Sequence, residues 1–292
     1  MKRAEPYLLL APVLTVLTAV FGAGLAMGLL QSLGYFPALG LREFTLRHYR
    51  AVLTDPAFLK ALAFSLYTSL ASSLAALVAG LILAYALMRS AGQGKIERLL
   101  YQLPIIVPHT VAAFLAFSLL GQSGWLSRLA YQLGLIGDMA GFPVAVMDPG
   151  GLGIIAAYLW KEIPFVALVA YGVLKSADTA YSQAARNLGA SGLQTFCHVT
   201  LPLCVPTLIS AFIITFAFAF GAFEVPYLLG PTTPKALPVL AYLAYIHPDL
   251  SHRPYAMAIS MVLAGLTLLM VLLYSWSFSL LERIGAPKEG QP

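Results

Sequence analysis

Long apolar stretches separated by short polar connections dominate the chain. Five stretches contain no Asp, Glu, Lys or Arg: residues 6–41, 61–88, 99–127, 199–223 and 254–281. Each exceeds the roughly 20 residues that an α-helix needs to cross the hydrocarbon core of a bilayer. A sixth stretch, residues 152–174, is apolar except for Lys161 and Glu162. The pattern predicts an all-α polytopic membrane protein with six transmembrane helices in one domain over residues 1–292.

The composition strengthens this prediction. The chain is 60% hydrophobic and only 10% charged, with a mean hydropathy of +0.83, which is far more apolar than a soluble domain. The lipid bilayer is therefore the expected environment, and no nucleic acid partner is expected. The predicted spans are approximately residues 7–30, 61–88, 100–121, 152–174, 203–223 and 255–281.

The first apolar stretch allows two interpretations. Lys2 and Arg3 precede it, as basic residues precede the apolar core of a cleaved signal peptide. Such a core is only about 7–15 residues long, whereas this stretch continues to residue 41. We expect a retained first span, and cleavage within residues 21–26 is the alternative.

Lys and Arg residues in the connections predict the orientation, because cytoplasmic loops carry an excess of both. With the N-terminus inside, these residues fall on short inner segments: Lys2, Arg3, Arg89, Lys95, Arg98, Lys175, Arg186, Arg283 and Lys288. The others fall on longer outer loops: Arg42, Arg47, Arg50, Lys60, Arg128, Lys235 and Arg253. Their density favours a cytoplasmic N-terminus and C-terminus, and places residues 178–202 in the cytoplasm.

Residues 178–202 are too polar to cross a bilayer and are patterned like two short surface helices. Apolar or small residues at i, i+3, i+4 and i+7 form one stripe, consisting of Tyr181, Ala184, Ala185 and Leu188. Asp178 can cap this helix at its start. Gly189 follows at the expected helix end, because glycine accepts the left-handed conformation that terminates helices.

A second helix is predicted to begin after Ser191, which forms a capping box with Gln194. Its apolar stripe consists of Leu193, Phe196 and Cys197. We expect Phe196 to point outward and Pro202 to end the unit. The predicted helix-turn-helix is suited to contact with another protein.

One segment resembles a known loop. It consists of Gln183-Ala184-Ala185, then Gly189 after three residues, and Val199-Thr200-Leu201-Pro202 after nine more. It is similar to the EAA loop of the permease subunits of ATP-binding-cassette importers. In that family the loop forms a coupling helix that docks on a cytoplasmic ATPase. The resemblance assigns ATPase coupling to Gln183, Ala184, Ala185, Leu188, Gly189, Leu193, Phe196, Leu201 and Pro202. Gln183 replaces the usual glutamate, so its amide can hydrogen-bond but cannot form an ion pair.

The resemblance covers nearly the whole chain and implies the type I importer permease fold and a multi-pass protein of the inner (plasma) membrane. It implies a permease subunit that forms the pathway for a small polar solute, such as a polyamine, thiamine, iron(III) or an oxyanion. The implied partners are cytoplasmic ATPase subunits, a second permease subunit in a homodimer or heterodimer, and an extracytoplasmic substrate-binding protein. ATP and magnesium would be bound by the ATPase. An ion-coupled secondary transporter with an ordinary cytoplasmic loop is the alternative.

The sequence contains no catalytic motif that fits a known pattern. Gly94-Lys95 is nearest to a phosphate-binding loop, but Arg89 and Ile96 replace the required glycine and Ser or Thr. Cys197 and Cys204 would lie ~10 Å apart on one helix, too far for a disulfide. We therefore expect no enzyme activity, no metal site and no cofactor bound by this chain, with an intramembrane enzyme as a weak alternative.

Four residues are candidates for the translocation pathway. Lys161 and Glu162 fall near the middle of the fourth span, where a lipid-facing charge would cost about 2.5–3.5 kcal/mol or more. Both should face the bundle interior or water, and each needs its own partner because adjacent helix residues point ~100° apart. Alternatively, the helix is shifted or broken at Pro164 and both charges are structural. Glu224 is expected to end the fifth span, as an outer-mouth residue or a solvated helix end, and with Glu162 and Tyr227 it would suit a cation.

Three further features bear on the fold. Small residues fill the second span, which predicts a central helix because they permit close packing in lipid. Pro104 and Pro108 should kink the third span. The outer connection over residues 34–59 resembles an interfacial helix followed by a turn, and the glycine-rich connection over residues 122–151 is expected to form loops with at most a short helix.

Overall fold

The structure is a computed structural model that describes residues 5–89, 95–177 and 181–285. Its α-helices are α1 Glu5–Ser32, α2 Arg47–Thr54, α3 Pro56–Arg89, α4 Lys95–Ile106, α5 His109–Leu120, α6 Trp125–Gln132, α7 Leu152–Ala177, α8 Gln183–Asn187, α9 Gly192–Thr195, α10 Leu201–Gly221, α11 Glu224–Leu229, α12 Leu237–Tyr245 and α13 Arg253–Gly285. Across these described ranges the β-structure is a single isolated bridge between Phe36 and Leu41. The all-α prediction is confirmed. Lys2, Arg3, Gly94, Asp178 and Lys288 lie outside the described residues.

Six helical segments of the described chain are long and apolar enough to cross a membrane. They are Leu9–Ser32, Pro56–Arg89, His109–Gln132, Leu152–Lys175, Gly192–Gly221 and Leu250–Trp276. The prediction of six spans is confirmed, although several bounds differ from those expected. Helix α1 continues without a break through residues 21–26, the alternative cleavage region.

The chain divides into two compact units, Met1–Ala61 with Leu237–Leu266 and Leu62–Ala236 with Thr267–Pro292. In the first unit, the hydroxyl of Tyr255 donates to Oδ2 of Asp55 at 2.5 Å, and the hydroxyls of Ser32 and Tyr49 lie 2.7 Å apart. Asp55 also accepts from the backbone N–H of Ala57 at the start of α3. The expectation of one domain over residues 1–292 stays a prediction.

The core of the second unit forms where α3, α7 and α10 pack together. Its buried side chains are Ala84, Val166, Ala167, Ala170, Leu174, Cys204, Leu208 and Ala211. Gly80 permits the close approach of α3 to α7, because a Cβ at this position would lie only 2.6 Å from Cβ of Val166. Small side chains therefore set the helix spacing at this crossing.

The prediction that the second span is central is correct for only one of its faces. The small polar side chains of α3 are buried, and Ser69 and Thr68 donate to carbonyls of their own helix. Its large apolar side chains, among them Leu74 and Val78, are exposed in the single chain. Half of the most apolar part of Leu152–Lys175 is buried (50%), compared with 28% for Pro56–Arg89, so α7 is the more central helix.

The kink predicted from Pro104 and Pro108 is a complete break between α4 and α5. Helix α4 continues through Pro104 and ends at Ile106, and Pro108 stands immediately before α5 in an extended conformation. A proline lacks the backbone N–H that the carbonyl four residues earlier would otherwise accept from, which explains the interruption at this position. The candidate third span accordingly begins at His109 rather than near residue 100.

The two outer connections contain the short helices that their sequences suggested. Helix α2 occupies residues 47–54, immediately before the turn at Asp55. Helix α6 occupies residues 125–132, and a single helical turn follows at Met139–Gly141. Helix α12, which follows the fifth span, has no counterpart in the sequence-based expectations.

Two expectations about the fifth span are wrong. Pro202 does not end the loop unit, because the helix runs from Gly192 to Gly221 through a wide π-turn at Phe196–Thr200. Pro202 lies directly after this π-turn, at the second position of α10. Glu224 does not end this span either, since α10 ends at Gly221 and Glu224 begins the separate helix α11.

Candidate functional site

The loop between the fourth and fifth spans forms two short helices joined by a tight turn. Helix α8 ends in a Schellman arrangement: the N–H of Ala190 donates to the carbonyl of Ala185, and the N–H of Gly189 donates to that of Arg186. Gly189 has a φ of +88°, in the left-handed region, and its α-carbon faces open space. The predicted glycine-terminated helix is confirmed.

The second helix of the loop begins with the predicted capping box. The backbone N–H of Gln194 donates to Oγ of Ser191, and the N–H of Ser191 donates to Oε1 of Gln194. The hydroxyl of Thr195 also donates to the carbonyl of Ser191. These local bonds fix the start of α9 from within the loop itself.

The loop exposes two large apolar side chains on its outer surface. The side chains of Leu188 and Leu193 are 88% and 73% exposed, and Gln183 and Ala184 are also exposed. Exposed leucines of this size on a short polar segment are typical of a surface that binds a partner protein. We refer to Gln183, Ala184, Leu188 and Leu193 as the outer face of the loop.

Phe196 does not point outward as expected. Its ring lies 4.6 Å from that of Tyr85, and it packs on the core formed by α3, α7 and α10, as Leu201 does. Because the helix continues through the π-turn, the side chains after Thr195 follow the phase of α10 rather than that of a separate surface helix. Phe196 and Leu201 therefore anchor the loop, whereas Pro202 is exposed.

A cavity of about 220 Å³ lies beside the middle of α7. Its polar lining consists of His109, Lys161, Glu162 and Thr215, and its apolar walls are Ile105, Phe165, Ile214 and Phe218. Lys161 and Glu162 stand about ten residues into the span, which is ~15 Å along the helix axis and so near the middle of a ~30 Å hydrocarbon core. Two of the four candidate pathway residues thus share one cavity.

Lys161 binds the broken end of α4. Its buried ammonium donates to the carbonyl of Pro104 at 2.9 Å and to the carbonyl of Val107. The carbonyl of Pro104 would ordinarily accept from the N–H of residue 108, which is a proline and has none. The ammonium therefore satisfies an acceptor that the helix break has left without a backbone donor.

Glu162 is also buried, but its carboxylate lacks the hydrogen bonds that Lys161 has. The residue is only 6% exposed, and neither carboxylate oxygen has a hydrogen-bond partner among the described residues. Ser72 is its polar neighbour on α3, but the Ser72 hydroxyl donates to the carbonyl of Ser69 at 3.1 Å. The expectation that both charges face the interior holds in this chain, and α7 is continuous through Pro164.

Glu224 and Tyr227 do not line this cavity. Glu224 is exposed at the start of α11, and the ring of Tyr227 stacks on that of Phe223 at 4.8 Å. His109, whose ring lies 4.2 Å from that of Phe218 in the cavity wall, was not among the residues predicted to line the pathway. It follows Pro108 directly and is the one histidine of a stretch without Asp, Glu, Lys or Arg, a feature that could have identified it.

Comparison with known proteins defines the class of this molecule. The family described as "Binding-protein-dependent transport system inner membrane component" matches residues 76–283. The chain belongs to this family, whose members include permease subunits of ATP-binding-cassette importers.

Three relatives show the range of solutes for which permeases similar to this chain are named. The sulfate transport system permease protein CysT of Escherichia coli (strain K12) is 27% identical, over 79% of this chain and 80% of its own length. The molybdate/tungstate permease protein WtpB of Pyrococcus abyssi is 30% identical, over 76% and 79%. The spermidine/putrescine permease protein PotB of E. coli is 30% identical, over 82% and 85%.

A solved structure supports the fold. A bacterial transporter that imports the acidic polysaccharide alginate matches 98% of this chain and 98% of its own with a TM-score of 0.77 at 21% identity. The fold is that of the type I importer permeases, as the resemblance implied. Membership of this family, rather than any property of the loop alone, argues against an ion-coupled secondary transporter.

Proposed function

We propose that this chain is one of two permease subunits, identical or different, that form the translocation pathway of an importer in the inner (plasma) membrane. A soluble binding protein delivers a small polar solute from outside, and a separate cytoplasmic subunit binds ATP and magnesium and hydrolyses the ATP. The solute belongs to the chemical range of the polyamines, thiamine, iron(III) and oxyanions. The relatives named for sulfate, molybdate and spermidine permeases support this range.

The observation that carries the proposal is the outer face of the loop. It presents two leucines on a scaffold whose shape is determined by backbone and capping-box hydrogen bonds, so little conformational entropy is lost on docking. The inner side of the same loop is attached to the transmembrane core through Phe196 and Leu201. A displacement of the docked ATPase would therefore be transmitted to α10.

Gln183 affects the chemistry of the proposed docking contact. Its side chain is exposed at the first position of α8, where an amide can both donate and accept a hydrogen bond. Without a carboxylate, this position contributes no ion pair, so the apolar contacts of Leu188 and Leu193 carry a larger share of the binding. We expect the contribution of Gln183 to ATPase binding to change little with salt concentration.

The test replaces Gly189 by valine in the reconstituted transporter. A β-branched residue is strained at a φ of +88°, so the turn between α8 and α9 should distort while the spans remain intact. Stimulation of ATP hydrolysis by the loaded binding protein should be lost at normal membrane abundance. Basal hydrolysis by the isolated ATPase should not change.

Gly134 provides a matched control outside the loop. It also has a left-handed backbone, with a φ of +70° and open space around its α-carbon, but it lies in the connection between α6 and α7. Gly134→Val imposes the same local strain and should leave the stimulation intact. Full stimulation in Gly189→Val, or equal loss in both variants, contradicts a coupling role for the loop.

A further inference from the structure

The mid-membrane cavity contains two opposite charges that differ in how they are satisfied. The ammonium of Lys161 is committed to carbonyls of the protein, at the break between α4 and α5. The carboxylate of Glu162 has no hydrogen-bond partner in the described part of the chain. The cavity therefore has one unsatisfied charged group, which is an acceptor.

A buried carboxylate without a partner is costly, and proteins ordinarily pair or hydrogen-bond such groups. The hydroxyl of Ser72 on α3 lies near Glu162, but its single proton cannot serve both Glu162 and the carbonyl of Ser69, to which it donates at 3.1 Å. Thr215 donates to the carbonyl of Ala211 at 3.1 Å, and neither carboxylate oxygen has a partner of good geometry among the described residues. A ligand that brings N–H donors and a positive charge would satisfy Glu162.

We propose that Glu162 binds an ammonium group of the solute as it crosses the membrane. This inference rests on the proposed function and adds the chemical class of the solute, a small primary or secondary amine. The volume of about 220 Å³ admits one ammonium group with a short alkyl segment. Phe165 and Phe218 also line the cavity, and aromatic rings attract cations.

An oxyanion suits this cavity poorly. It would meet the carboxylate of Glu162 at close range, and two of the three Lys161 protons already point at Pro104 and Val107. Lys161 is therefore a wall residue that stabilises the helix break, and Glu162 is the residue that contacts the solute. Glu224 is exposed at the start of α11 and does not line the cavity.

The test uses a hydrophobic carbodiimide, which reacts with carboxylic acids in apolar surroundings. Membrane vesicles containing the complete transporter are treated with dicyclohexylcarbodiimide, and modification of Glu162 is quantified by peptide mass spectrometry, with putrescine or sulfate as the competing probe. At a putrescine concentration about ten times its dissociation constant, mass action leaves about a tenth of the sites free. Labelling of Glu162 should then fall by about tenfold, whereas sulfate should give no protection.

Two variants serve as controls. Glu162→Gln should abolish labelling at this position, and Glu224→Gln should leave both labelling and putrescine protection of Glu162 unchanged. Labelling needs no ATP hydrolysis, so protection should persist in Gly189→Val even if that variant is uncoupled, which separates this inference from the proposed function. Protection by sulfate, no protection by putrescine, or no labelling of Glu162 would each overturn the assignment.

Discussion

Lys161→Met should destabilise the protein. The carbonyl of Pro104 would lose its donor, and Pro108 has no backbone N–H to replace it. Methionine preserves much of the length and apolar volume of the lysine but cannot donate to the carbonyls of Pro104 and Val107. Hydrogen bonds from a charged donor contribute about 1.5–3 kcal/mol each. The two bonds together contribute about 3–6 kcal/mol, and the burial cost that disappears with the ammonium offsets part of their loss. The net loss of stability should be about 2–4 kcal/mol.

The midpoint of thermal unfolding of the purified full-length chain in detergent measures this loss. One kcal/mol corresponds to about 2–4 °C for chains of 150–250 residues, so the midpoint should fall by roughly 4–16 °C. Lys175→Met is the matched control, because Lys175 is exposed in the last turn of the same helix, with its Nζ 6.0 Å from the ring of Tyr171. That variant should change the midpoint only slightly.

A double-mutant cycle tests whether the missing N–H of Pro108 accounts for the cost of Lys161→Met. Pro108→Ala supplies the missing N–H, which can then donate to the carbonyl of Pro104 in place of the ammonium. In that background Lys161→Met should cost less, by about 1 kcal/mol, than in the native chain. An equal cost in both backgrounds, or a cost no larger than that of Lys175→Met, would refute the view that Lys161 satisfies the broken end of α4.

Three further predictions concern the solute, the loop and the orientation. Glu162→Leu should abolish uptake of the solute at normal membrane abundance, because the group that binds the cation is gone; normal uptake would assign Glu162 a structural role only. Ser191→Ala removes the helix cap, costs about 1 kcal/mol of local stability and should lower substrate-stimulated ATP hydrolysis without reducing abundance. Cysteine labelling should reach position 186 only from the cytoplasm and position 138 only from outside, and the reverse pattern would overturn the predicted orientation.

The spans and the turn of the loop were predictable because local chemistry determines them. Uncharged stretches of sufficient length imply helices in a bilayer, and a glycine followed by a capping box implies a helix end and a helix start at Gly189 and Ser191. Pro104 and Pro108 predicted a kink in this region, but the helix continues through Pro104 and breaks before Pro108. In each case the decisive residues lie within a few positions of the feature that they produce.

The direction of Phe196 and the partner of Lys161 depended on tertiary packing. Phe196 turns inward because the helix continues past Pro202, and the sequence of the loop alone does not reveal whether a proline ends one helix or occupies the first turn of the next. The contact between Lys161 and Pro104 joins residues 57 positions apart, which no local pattern specifies. His109 was missed for the same reason, since its cavity exists only once α5, α7 and α10 pack together.

Lys161 and Glu162 are adjacent in α7 but have different roles. Because neighbouring residues point ~100° apart on a helix, the lysine can reach the α4–α5 break while the glutamate borders the cavity. The lysine is held by carbonyls, so its positive charge stays fixed at the α4–α5 break, in the wall of the cavity. A solute cation that binds Glu162 shares the cavity with this positive charge, which limits how tightly the cation is held. Binding that is favourable but not tight is what a translocation pathway requires, since the solute must also leave.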